Sequence, residues 1–140
     1  MDTRKKLSIF KKSVRGLLKQ NKQSLCDGDC VYLNPEGLKC AIGMLITKGS
    51  YNPKMEHSGP GDDRVQKALE KSGIIVSNEF DMGFLARLQD IHDGYEPYAW
   101  VDIFADFARV QFSMSMVEAK KFVKSLKPKS KSKPKSKGKK

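Results

Sequence analysis

Apolar residues recur along this chain mostly at helical spacing. Leu7, Phe10, Val14, Leu17 and Leu18 stack on one face of a helix running from Thr3 to about Asn21. Val65, Ala68 and Leu69 do the same for Asp63 to Ser72, with Asp62 placed to cap the start and Gly73 to stop the end. Phe84, Leu85, Leu88 and Ile91 share a face from Asp81 to Gly94. Pro97 opens a further helix with Trp100, Val101, Phe104, Phe107 and Ala108 inward. Ser115 and Glu118 form an S-x-x-E capping box for Met116 to Leu126, whose Met116, Ala119, Phe122, Val123 and Leu126 complete the core.

Between these helices the pattern shortens. Val31 to Leu33 and Leu38 to Cys40 flank Asn34-Pro35-Glu36-Gly37, where Pro presets φ and Gly suits the fourth turn position, so a small β-hairpin is expected. Ala41 to Ile46 then reads as a short buried helix, and Ile74 to Val76 as a strand or an extended packing segment. Residues 47–62, rich in Gly, Ser, Asn and Pro, form the longest stretch without periodicity inside the body, and loops of that length often carry function. The fold class is mainly α: one domain over 1–126, four to five helices with a small hairpin, and a tail over 127–140. That tail contains only Lys, Ser, Pro and Gly, which bury too little to offset backbone entropy, so it is expected to be disordered.

Charge divides the chain more sharply than hydropathy does. The net charge is +11, but residues 127–140 hold eight Lys and no acid, and residues 1–22 hold eight Lys or Arg against Asp2. That leaves −4 on residues 23–126. The basic residues of the first helix could meet an anionic surface, or the helix could dock on its own domain with a solvated basic face, the commoner arrangement. No run approaches the roughly 18–20 apolar residues of a membrane span, and no secretory pattern precedes the body, so a soluble intracellular protein is expected.

The three cysteines are an odd number without a secretory signal, so reduced thiols are expected. Cys40 falls where the Ala41–Ile46 helix would begin, and His92 with Asp93 lies at the end of another, so a nucleophilic set of Cys40, His92 and Asp93 can be assembled, with Asp90 or Asp102 as alternative orienting acids. Packing explains the same residues: Cys40-Ala41-Ile42-Gly43 is small enough for close approach, and His92-Asp93-Gly94 suits a helix C-terminus with Gly94 left-handed. Cys26, Cys30 and Cys40 with His57 or His92 supply zinc-type ligands, but without a C-x2-C pair.

The clearest physical consequence belongs to Lys127, Lys129, Lys131, Lys133, Lys135, Lys137, Lys139 and Lys140. Cations on such a tail neutralise phosphates and release counterions, giving sequence-independent, salt-sensitive association with nucleic acid or another polyanion. The absence of aromatics among them excludes base stacking as the mode.

The pattern Cys30-Val31-Tyr32, Gly37-Leu38-Lys39-Cys40-Ala41-Ile42-Gly43, Tyr51, Met55-Glu56, Leu88-Gln89-Asp90-Ile91-His92-Asp93 and Trp100 resembles small uncharacterised proteins of tailed bacteriophages and bacteria over roughly 23–110. The resemblance implies a domain and a phage or bacterial origin, with the host cytoplasm as the location if the chain is phage-encoded, but no mechanism. The expected function is a non-enzymatic accessory protein without cofactor or metal. Its acidic body would engage a protein partner while its basic tail associates with nucleic acid. The alternatives are a Cys-dependent enzyme using Cys40 and His92, and a zinc-binding protein.

Overall fold

The structure, a computed structural model, describes residues 1–128. Among them are five α-helices and one two-stranded antiparallel hairpin: α1 (Thr3–Gln20), β1 (Leu25–Cys26), β2 (Asp29–Cys30), α2 (Asp63–Lys71), α3 (Glu79–Gly94), α4 (Trp100–Gln111) and α5 (Met116–Ser125). Single 3-10 turns occupy Gly43–Leu45, Lys48–Ser50, Pro53–Met55 and Pro97–Ala99. The fold class expected from the sequence is therefore the one observed. Lys129 to Lys140, and with them nearly all of the expected disordered tail, lie outside the described residues.

α1 is the hub of the core. The Asp2 carboxylate accepts the Lys5 N–H (2.8 Å), and Asn21 closes the helix in the left-handed region with its N–H on the Leu17 carbonyl. Ile9, Phe10, Val14, Leu17 and Leu18 are buried, so the helix docks on its own domain. The Phe10 ring stacks on Phe122 (centroids 5.5 Å) and meets Phe104 and Phe112 edge-on (6.1 and 5.6 Å). One side chain thus joins α1 to both C-terminal helices, and its burial contributes about 1.5–3 kcal/mol.

The hairpin forms around a different turn from the one expected. Asp27 and Gly28 both take positive φ (53° and 86°), the twist that suits a two-residue hairpin, and Leu25 pairs with Cys30 across them. The Asn34–Gly37 reversal does form, with the Gly37 N–H on the Asn34 carbonyl (2.9 Å), but it carries only the single bridge Leu33–Lys39. Side chains have taken the backbone groups a longer ladder would use. The Glu56 carboxylate accepts the N–H groups of Tyr32 (2.8 Å) and Leu33 (3.1 Å), and the Gln20 amide holds both the N–H and the carbonyl of Lys39 (2.9 and 2.8 Å).

The expected Ala41–Ile46 helix is a single 3-10 turn. Gly43 packs against the Tyr32 carbonyl so closely that a side chain would collide, and the Gln89 side chain accepts the Ile42 N–H (3.1 Å). The 47–62 stretch is also more ordered than its composition suggests. Two 3-10 turns, fully buried Met55 and the Glu56 clamp pin it to Tyr32 and Leu33. Ile74–Val76 makes no strand, and only Ile74 is buried.

The remaining helices follow the pattern with local shifts. Asn78 caps α3, which begins at Glu79 rather than Asp81. Asp81 is buried, accepts the Ser77 N–H (3.0 Å) and pairs with the Met1 ammonium (3.2 Å). Ser115 and Glu118 form the expected capping box of α5, but Met116 is exposed, leaving Ala119, Val123 and Leu126 as its buried contributions.

Candidate functional site

Two places gather the residue types that carry chemistry. The first lies where the C-terminal turn of α3 meets β2. His92 is buried against Trp100, with ring centroids 5.7 Å apart and planes inclined by 28°. Its Nε2 accepts the Ser24 N–H (3.0 Å), so that nitrogen carries a lone pair and the proton sits on Nδ1, which donates to Asp93 Oδ1 (2.7 Å). Gln89 Nε2 donates to the same carboxylate oxygen (2.7 Å), and the Cys30 thiol lies beside it. Cys30 Sγ, a His92 ring nitrogen and an Asp93 oxygen all lie within 4.8 Å of one another.

These bonds set the protonation states. Burial pushes the Asp93 carboxyl up, but its hydrogen bonds from His92 and Gln89 and the neighbouring Cys30 thiol outweigh that and hold it below the usual carboxylate range. Burial first, then the neighbouring Asp93 charge, raises the Cys30 thiol from its ordinary 9.0 to about 12. Cys40 is 1% exposed and lies at the floor of an adjoining cavity of about 290 Å³. Burial raises its thiol to about 12 as well, although the Gly43 N–H at 3.4 Å partly offsets the shift.

The geometry corrects the Cys40–His92–Asp93 expectation. Cys40 does not begin an α-helix, so no helix dipole assists its thiolate. His92 has no free lone pair with which to take a thiol proton, since one nitrogen already accepts and the other already donates. Asp93 does orient His92, but the thiol beside the pair is Cys30. Of the alternative acids, Asp90 is exposed and Asp102 pairs with Lys120 on α5 (4.0 Å).

The zinc set is divided in the same way. Cys26 sits by the Asp27 carboxylate (4.0 Å), apart from the Cys30 cluster, and His57 is exposed. Ligation through His92 Nδ1 would displace the proton that Asp93 accepts while Nε2 still receives Ser24, leaving an imidazolate, so these residues do not fit a zinc centre. Gly94, expected in the left-handed region, is the last helical residue instead. Gln23 closes this helix end by donating to the carbonyls of His92 (2.9 Å) and Tyr95 (3.2 Å).

The second place is the outer face of α1. Arg4, Lys11, Lys12, Arg15 and Lys19 line a groove of about 700 Å³. Ser8 joins them, and Leu7, Gly16 and Met44 supply the rest of its lining; no acid contributes to it. No family model, curated protein or solved structure matches the chain.

Helical geometry brings the five cations together: positions 4, 11, 15 and 19 recur at intervals of seven and four along one stripe, with Lys12 beside it three residues before Arg15, and the set spans about four turns. Among the described residues none of the five takes part in an ion pair. Lys6, just off the stripe, instead lies over the Phe84 ring (5.8 Å). Met44 covers Gly16, where any side chain would collide with its sulfur. The cations are legible in the sequence, whereas the contact of Met44 with Gly16 depends on how the 3-10 turn docks on α1. Of the tail lysines assigned to nucleic acid, only Lys127 lies within the described residues, and it is exposed.

Proposed function

We propose that the chain is a non-enzymatic polyanion-binding protein that meets the phosphate backbone of nucleic acid with the outer face of α1, together with its Lys-rich C-terminal segment. One observation carries the reading: five cations share an acid-free groove on a helix whose opposite face is fixed in the core. A docked helix presents charges already arranged, so binding orders little beyond the side chains. No aromatic residue lines the groove, which favours backbone contact over stacking and hence sequence-independent affinity.

Fluorescence anisotropy with a short labelled DNA duplex at low salt tests this reading. The full chain is expected to bind. The double variant Lys11→Glu/Arg15→Glu, and separately a chain ending at residue 126, should each lose on the order of tenfold or more in affinity while keeping the helical circular dichroism. Unchanged affinity in both would overturn the proposal; loss in the truncation alone would assign binding to the C-terminal segment and remove α1.

A further inference from the structure

A third cavity, of about 310 Å³, opens between the Asn34–Gly37 reversal and the Lys48–Tyr51 segment. Its apolar walls are Tyr32, Leu33, Ile46 and Tyr51, its cations are Lys39 and Lys48, and no acid lines it. The volume is at the lower end of the range that small-molecule sites occupy, about 300–1,000 Å³. We propose that this cavity is a binding site for a small carboxylate with a flat apolar body, seated against the two tyrosines with its charge toward Lys39 and Lys48.

The walls are held in place before any ligand arrives. The Tyr32 hydroxyl donates to the Ser58 carbonyl (2.6 Å) and the Tyr51 hydroxyl to Glu56 (2.6 Å), so both rings are fixed and neither hydroxyl competes for the charge. Glu56, the nearest acid to these walls, already accepts the Tyr32 and Leu33 N–H groups as well, so its carboxylate is turned to the structure. The Lys39 backbone is clamped by Gln20 through both its N–H and its carbonyl, which fixes where its side chain leaves the chain. Among the described residues neither Lys39 nor Lys48 takes part in an ion pair. A preformed apolar slot with two uncompensated ammonium groups pays little to order itself, and it selects an anion over a neutral molecule of the same shape. The site is separate from the α1 groove: the two share no lining residue.

Benzoate is the probe and benzamide its neutral counterpart. Titrated into the methyl-labelled full chain, benzoate should produce saturable shifts at the Leu33 and Ile46 methyl groups in carbon–proton correlation spectra. Benzamide should bind roughly tenfold more weakly, and Lys39→Gln/Lys48→Gln should weaken benzoate by a similar factor while leaving distant methyl signals in place. No saturable shift at Leu33 and Ile46 overturns the site; equal binding of benzamide, or undiminished binding by the lysine variant, overturns the anionic ligand.

Discussion

The cluster at the end of α3 and the outer face of α1 are equally rich in groups that could act on a ligand, yet they have opposite structural fates. At the cluster the buried imidazole has found its partners within the fold: His92 bridges Ser24 and Asp93, and Asp93 also receives Gln89. On α1 the five groove cations meet no acid. Burial explains the difference, because a polar group withdrawn from water must be satisfied internally, whereas a solvated cation can wait for a partner. Reactive residue types gathered in one place are therefore weaker evidence of function than charges left uncompensated.

The largest effect should separate the two faces of α1. Phe10→Ala removes the ring that joins α1 to α4 and α5 and should destabilise the domain by about 3–5 kcal/mol in urea titrations. Charge changes on the outer face, such as Lys12→Ala, should alter the same titration by no more than about 0.5 kcal/mol. Comparable losses from both would erase the distinction between a structural and a binding face.

The next test concerns pH, and its two limbs have opposite signs. Asp81 and Asp93 are held below the usual carboxylate range, Asp81 first by the Ser77 N–H and then by the Met1 ammonium, and Asp93 by its hydrogen bonds against the effect of burial. Their folded forms bind fewer protons than the unfolded chain, so the stability they supply is present above about pH 4 and is lost as pH falls through their lowered values. Cys30 and Cys40 are shifted the other way. Their contribution is complete below the ordinary thiol value of 9.0 and is lost as pH rises toward about 12. Urea titrations across pH should show both declines, and Cys40→Ala should reduce the alkaline one. A stability that does not fall between neutral pH and about pH 10 would contradict the thiol assignments.

The smallest effect is chemical. Cys26 should be alkylated by iodoacetamide in the folded protein at neutral pH, whereas Cys30 and Cys40 should react fully only on unfolding, because protonated thiols are poor nucleophiles. Peptide mapping by mass spectrometry reads the order. Rapid labelling of Cys40 in the folded chain would reopen the enzyme reading that its burial argues against.

What the sequence disclosed depended on how local the determining physics was. Helix positions follow from apolar spacing and caps within a few residues, and Asp62, Ser115 and Glu118 act where their positions implied. The hairpin was misplaced because Glu56 and Gln20, distant in sequence, occupy the backbone groups of the expected strands. After Cys40 the expected helix is a single 3-10 turn, docked where Gly43 meets the Tyr32 carbonyl, a contact distant in sequence. The cluster itself was half legible: His92 and Asp93 do hydrogen-bond despite being adjacent, but the thiol beside them is Cys30, placed there by the Asp27-Gly28 turn. The α1 cations were visible as composition, while their groove required the docked helix.

The most direct test of the central claim is the salt dependence of DNA-duplex binding for the full chain beside Lys12→Ala and Lys12→Ala/Arg15→Ala. Phosphate contacts through α1 predict that the slope of log K against log salt becomes shallower by about one for each cation removed, with affinity lost to a similar extent on unrelated sequences. Slopes identical to that of the unaltered chain would contradict the account and leave the α1 face as a solvated surface.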